Sequence, residues 1–221
     1  PREGAAGTAP EGPEISLTGV FSGPPAGKKD LILETYRNFS ARDMAVDFFG
    51  RLIGDRELGA LSLELAAAKD IAPALVFALV WEESRWKVHA VNRKNRNGTI
   101  DRGLFQLNSA SFPGLKEADF FNPRINISYG LTHLRWCFDY GGSEVAALAM
   151  YNAGSNRVNT GGTPRTTLDY ISRILKNQQR IETLFEENLR RQVLAQVKPK
   201  EEEKAPAPKM RLTLLSPLGR R

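Results

Sequence analysis

Two adjacent carboxylates, Glu82 and Glu83, follow the apolar run Ala74-Leu75-Val76-Phe77-Ala78-Leu79-Val80-Trp81. An acid at the end of such a run is drawn toward low-dielectric surroundings, where desolvation disfavours its charged form and raises its pKa. A carboxyl kept protonated near neutral pH can serve as a general acid. Neighbouring helical positions point about 100° apart, so only one of the two is expected to face a cleft. Glu83 shares its face with Val76, Leu79, Val80 and Trp86. Glu82 lies with Leu75, Ala78, Leu79 and Trp86, and has Arg85 one turn on as a partner in solvent. Periodicity gives Glu83 a slight edge. It leaves open a plain pair of surface carboxylates at a frayed helix end.

Metal chemistry finds no ligand set. Placing Gly98 at the sixth position of a calcium-binding helix-loop-helix puts Arg93 first and Leu104 twelfth. Both of those positions require oxygen ligands, which excludes calcium. His89 and His133 are the only histidines and have no cysteine or acidic cluster beside them, so zinc is not expected. No cofactor is called for. The single cysteine, Cys137, rules out an intrachain disulfide and, one turn from Leu134, reads as a small buried hydrophobe.

The elements that must position these residues are mostly helical. Met44, Phe48, Arg51 and Leu52 recur at helical spacing until Gly54-Asp55, and Leu58, Leu61, Leu65 and Ala68 form a second stripe. Asp70, followed by Pro73, reads as the cap of a helix reaching to about Trp86. Asn97-Gly98 marks a tight turn within the polar stretch Asn92 to Thr99, so a short β-ribbon is expected there. Pro123 opens a helix through Ile127, Leu131, Leu134 and Phe138 that Gly141-Gly142 stops. Ser143 caps a helix to Tyr151 that Gly154 closes, and Thr166 or Thr167 begins the last long helix. The expected organisation is a flexible leader over 1–29, a helical extension over 30–57, one main domain over 58–194, and a charged Pro/Ala-rich tail over 195–221.

With 41% hydrophobic and 25% charged residues, the chain has the makeup of a globular protein with one sizeable core. No apolar run approaches the ~20 residues that span a bilayer, and Pro1 to Pro13 has no apolar export core. A net charge of +6 suits a polyanionic partner without choosing one. Arg93, Lys94 and Arg96 make one small basic patch, but Glu201-Glu202-Glu203 interrupts the basic tail and no nucleic-acid motif occurs, so specific nucleic-acid binding is not expected.

Three segments follow one another: Glu83-Ser84-Arg85-Trp86, Gly103-Leu104-Phe105-Gln106-Leu107-Asn108, and Ala149-Met150-Tyr151-Asn152-Ala153-Gly154. In this order they resemble the SLT-type lytic transglycosylases, in which a Glu-Ser pair, a Gly-Leu-x-Gln segment and an aromatic-Asn-Ala-Gly segment surround a glycan cleft. Asn122-Pro123, Asn126-Ile127 and Gly130 are similar to the family's helix-start pattern, and Thr167 with Tyr170 to its closing segment. The resemblance covers about Leu61 to Ile181. The stretch Asn97 to Ser109 also resembles the β-hairpin of animal-type lysozymes and of small transglycosylases that serve secretion machines. Where many family members carry Ser shortly before Gly-Leu-x-Gln, this chain has a longer Asn-rich loop.

The resemblance implies a mainly α, lysozyme-like fold of the α+β kind: a helical domain with a short β-ribbon beside the active-site cleft. It implies Glu83 as catalytic acid/base, with Ser84, Gln106, Asn108, Tyr151, Asn152, Asp101 and Tyr170 contacting substrate. Gly103 would let backbone approach the glycan. The implied substrate is peptidoglycan glycan, cut between N-acetylmuramic acid and N-acetylglucosamine to leave a 1,6-anhydromuramyl end. Such a substrate implies a periplasmic or cell-envelope location and allows a cell-wall or secretion-machine partner. Two alternatives stay open: a lysozyme-type hydrolase pairing Glu83 with Asp101, and a non-catalytic glycan-binding scaffold. Trp81, Trp86 and Trp136 could stack on sugar rings, although helical Trp is more often core.

Overall fold

The apolar segment ahead of Glu83 forms a helix that is buried on every side as far as Val80. In the computed structural model, which describes residues 29–95 and 97–197, this central helix is α4 (Pro73–Ser84), and Pro73 through Val80 are all buried. Around it lie α1 (Leu31–Arg37), α2 (Arg42–Ile53), α3 (Arg56–Ala68), α5 (Glu117–Phe121), α6 (Pro123–Gly141), α7 (Glu144–Ala153), α8 (Ser155–Asn159) and α9 (Arg165–Val197). A helix apolar on all faces needs such a jacket. The architecture is mainly helical, with one small antiparallel sheet of order β1-β2-β3: β1 (Val91–Asn92), β2 (Asp101–Arg102) and β3 (Leu107–Asn108). Its register pairs Asn92 with Asp101 and Asp101 with Asn108.

The helices of residues 30–57 share the core of the rest. Phe49 of α2 is fully buried, its ring 4.2 Å from Phe77 of α4 and 6.1 Å from Phe185 of α9. The leader over 1–28 and the tail beyond 197 lie outside the described residues. Among the described residues, no helix is long and apolar enough to cross a membrane.

Local signals explain most boundaries. The Asn122 side chain accepts from Ile125 N–H to start α6, and Ser143 accepts from Ala146 N–H to start α7. Gly142 takes a left-handed φ of 68° after α6. Gly130 is required by packing: a Cβ there would fall 2.2 Å from the Phe105 ring. Both ends of α4 differ from expectation. Asp70 does not cap α4; it takes a φ of 51° and pairs with Arg37 at 2.7 Å, and Ala72 precedes the helix without a side-chain cap. The helix also stops at Ser84, two residues early, because Arg85 and Trp86 both turn left-handed at φ 55° and 61°. Non-glycine residues there hold strain of about 1 kcal/mol or more each.

Candidate active site

The early end of α4 projects Glu82 and Glu83 out of the core in different directions. Glu82 turns to α9, where its Oε1 accepts from Arg173 Nε at 2.7 Å and Nη2 at 2.6 Å, with Arg85 farther off at 3.8 Å. The partner that holds Glu82 is therefore chiefly Arg173. Glu83 opens onto a cleft of about 770 Å³ between the sheet and the α6–α8 side. Its Oε1 accepts a hydrogen bond from the Tyr170 hydroxyl at 2.5 Å. Its Oε2 accepts none from the described residues.

Protein mass around Glu83 removes most of its water although one side reaches the cleft. Burial pushes its pKa from 4.5 up to about 7; the Tyr170 hydrogen bond opposes this, and the charges of Asp101 and Glu82 add to it. The carboxyl also sits in the last turn of α4, where the helix dipole disfavours negative charge. Such a group is substantially protonated at neutral pH. Because Tyr170 favours the carboxylate, Tyr170→Phe is expected to raise the Glu83 pKa further. The alkaline limb of the pH–rate profile should move to higher pH; an unmoved or downward-moving limb would show that Tyr170 does not hold this acid.

Asp101 lines the same cleft on β2. Its Oδ2 accepts from Asn92 and Asn95, both at 2.9 Å, and its Oδ1 accepts from Asn108 at 2.6 Å. Thr99 ties this cage together, accepting from Asn95 and Asn108 and donating to Asn97. The Asn-rich loop thus serves first to hold Asp101 and the ribbon. An ion pair from Asp101 to Arg102 is not formed; Arg102 lies 3.6 Å from Glu117 and over the Phe120 ring.

The other candidate residues divide. Gln106, Asn108, Tyr151 and Asn152 line the cleft with Glu83 and Asp101. Tyr151 donates its hydroxyl to the Phe105 carbonyl at 2.8 Å, and burial holds its pKa well above 10, so its proton stays in place. Asn152 accepts from Thr167 at 2.8 Å. Gln106, at a φ of 47°, donates its side-chain amide to the Gly103 carbonyl at 2.9 Å and the Ala90 carbonyl at 3.3 Å. Ser84 lies apart: it is buried and donates to the Val80 carbonyl at 3.2 Å, because the next position on the helix rotates it into the core.

Gly103 departs from the expectation of close approach to a glycan. A Cβ there would meet the Phe120 carbonyl at 2.2 Å and Asn126 Nδ2 at 2.3 Å, so the close approach is to protein. Asn126, only 1% exposed, is a positioning residue that sequence reasoning left without a role. It accepts from Phe105 N–H at 2.8 Å and donates to the Phe120 and Arg102 carbonyls at 2.8 and 3.1 Å. A polar residue on the apolar face of Ile127, Leu131 and Leu134 was the available signal. Of the three tryptophans, Trp136 lines this cleft, while Trp81 and Trp86 line a separate apolar groove beside α9. Among the described residues no group of three acidic, histidine or cysteine side chains is placed to hold a metal.

No curated protein matches the chain. A family model described as the transglycosylase SLT domain matches residues 60–171, from α3 through the Tyr170 that bonds Glu83. That span is just over half of the sequence. It includes the helix that carries the buried acid, the ribbon, and the helices α6 to α8 of the opposite wall. The chain belongs to the transglycosylase SLT domain family, a lysozyme-like fold whose members act on peptidoglycan.

Proposed function

We propose that this chain is a peptidoglycan lytic transglycosylase in which Glu83 is both acid and base. The observation that carries this reading is one enclosed carboxyl, lifted to a pKa of about 7, facing an open cleft with one oxygen uncommitted. The proton on Oε2 passes to the oxygen linking N-acetylmuramic acid to N-acetylglucosamine as the bond to C1 breaks. The carboxylate left behind, steadied by the Tyr170 hydroxyl, takes the proton of the muramyl C6 hydroxyl. That oxygen closes on C1 to give the 1,6-anhydro end, and Glu83 is again protonated. No water is consumed and one carboxyl suffices. The cycle needs no metal or cofactor, and its substrate puts the working site in the cell envelope.

A second reading rests on Asp101, the other carboxyl of the cleft, which could support a retaining hydrolysis with Glu83. Its three amide donors favour a structural part in holding the ribbon. Mass spectrometry of products from isolated peptidoglycan separates the readings. Anhydro ends, one water lighter than hydrolysis products, support the transglycosylase; hydrated reducing ends would replace it with the hydrolase. A folded sample that binds the polymer and releases nothing would leave a glycan-binding scaffold.

Glu82 gives an internal control. Glu82→Gln weakens its ion pairs with Arg173 and Arg85 and is expected to reduce activity by less than about tenfold, since the partly exposed pairs contribute modestly. A loss equal to that of Glu83→Gln would sink the assignment of the acid.

A further inference from the structure

Along one face of α6, His133, Trp136 and Tyr140 form a run of parallel rings. His133 and Trp136 lie 5.8 Å apart with planes 9° apart, and Trp136 and Tyr140 lie 5.3 Å apart with planes 8° apart. The inner end is tied to the site, because His133 packs 5.2 Å from Tyr151 and both line the cleft with Trp136. The outer end leaves it. Trp136 is 45% exposed and Tyr140 58% exposed, so the run is not core packing. Tyr140 is fixed nonetheless, since its hydroxyl accepts from Asn159 of α8 at 3.1 Å.

We propose that the His133–Trp136–Tyr140 run is a sugar-stacking platform that carries a glycan strand beyond the cleavage pocket. The inference rests on the reading of the cleft as a glycan site. Parallel rings at these separations are offset, so each leaves part of its face uncovered. The electron-rich face of an aromatic ring attracts the slightly positive C–H groups on one side of a pyranose. The equatorial hydroxyl and acetamide groups of a β-linked amino sugar point away from that contact and keep their water. Seven residues of helix place the first and last Cα about 10 Å apart, close to the length of one disaccharide repeat. Burial lowers the His133 pKa, so the run presents neutral faces that suit an uncharged sugar. Rings anchored by helix packing also lose little freedom on binding, unlike flexible polar side chains.

The test uses the full chain carrying Glu83→Gln, so that bound glycan is not cut, and β-1,4-linked N-acetylglucosamine oligomers from the disaccharide to the hexasaccharide. Calorimetric titration is expected to show affinity rising with oligomer length. Adding Trp136→Ala should flatten that rise, weakening the hexasaccharide about tenfold and the shorter oligomers progressively less. Trp136→Phe should keep most of the rise, which a mere loss of fold would not produce. The same length dependence in Trp136→Ala would overturn the platform while leaving the catalytic reading intact. Failure of the Glu83→Gln chain to bind any oligomer would overturn the platform, and the cleavage reading would then be judged by the products from isolated peptidoglycan alone.

Discussion

Glu83→Gln should abolish cleavage and at the same time make the protein more stable above neutral pH. Loss of a general acid/base lowers rates by about 100- to 10,000-fold. The amide keeps the shape of the carboxyl and can still accept from the Tyr170 hydroxyl, so the fold has no reason to fail. The stability effect follows from proton linkage. Burial raises the Glu83 pKa from 4.5 to about 7, so between those values the folded chain binds more protons than the unfolded one. Stability is therefore fully present below about 4.5 and is lost as pH rises through about 7. At 1.36 kcal/mol per pKa unit, the ionised Glu83 costs about 3 kcal/mol above that window. Glutamine removes this cost. The difference in unfolding free energy between the variant and the parent should be near zero at pH 4 and strongly positive at pH 8. Measuring the difference cancels the other titrating groups. An equal difference at the two pH values would mean that Glu83 is not desolvated in the folded chain, and the argument for its protonation would fall with it.

Asn126→Ala should be among the most destabilising single changes in the molecule, at about 3–5 kcal/mol. Three backbone groups lose their partner together: the Phe105 N–H and the carbonyls of Phe120 and Arg102. Each buried polar group left unpaired costs about 1–3 kcal/mol. The loss also loosens the turn at Gly103 that carries Gln106 into the cleft, so activity should fall even under conditions where the variant is folded. Asn126→Asp should do no better, because it keeps the acceptor for Phe105 but sets an oxygen against two carbonyls. Urea unfolding reads the effect from the midpoint at unchanged slope. A cost below about 1 kcal/mol would show that these hydrogen bonds are replaced by others.

Together the two predictions separate what the site does from what holds it. Glu83 is an unfavourable group that the fold tolerates at the end of α4. Asn126 is a favourable one that binds the ribbon turn, α5 and α6 into a single wall. Both lie in the matched span, and the motif resemblance points to both. A role was legible only for Glu83, since an acid after eight apolar residues has an evident chemical consequence. A buried asparagine has one only when its three backbone partners are in view.

The sequence by itself determined the longer helices, several of their ends, and the place of an acid at the end of an apolar run. These depend on neighbours within about one turn: the apolar run of α4, the caps at Asn122 and Ser143, the left-handed glycine after α6. Where a local signal faced a distant competitor, the tertiary structure decided. Asp70 had the makings of a cap and instead pairs with Arg37, 33 positions earlier. Glu82 and Glu83 are nearly equivalent by periodicity. They are told apart by Arg173 and Tyr170, 91 and 87 positions later on α9, which engage one carboxylate as an ion pair and leave the other in the cleft. Trp136 reaches the cleft and Trp86 does not because the chain turns left-handed at Arg85 and Trp86 and folds the latter back onto Phe77, 4.6 Å away. Helical periodicity says which residues share a face. Which face meets water, a partner or a cleft is set by how the helices pack, and that is a sum over residues far apart in the chain.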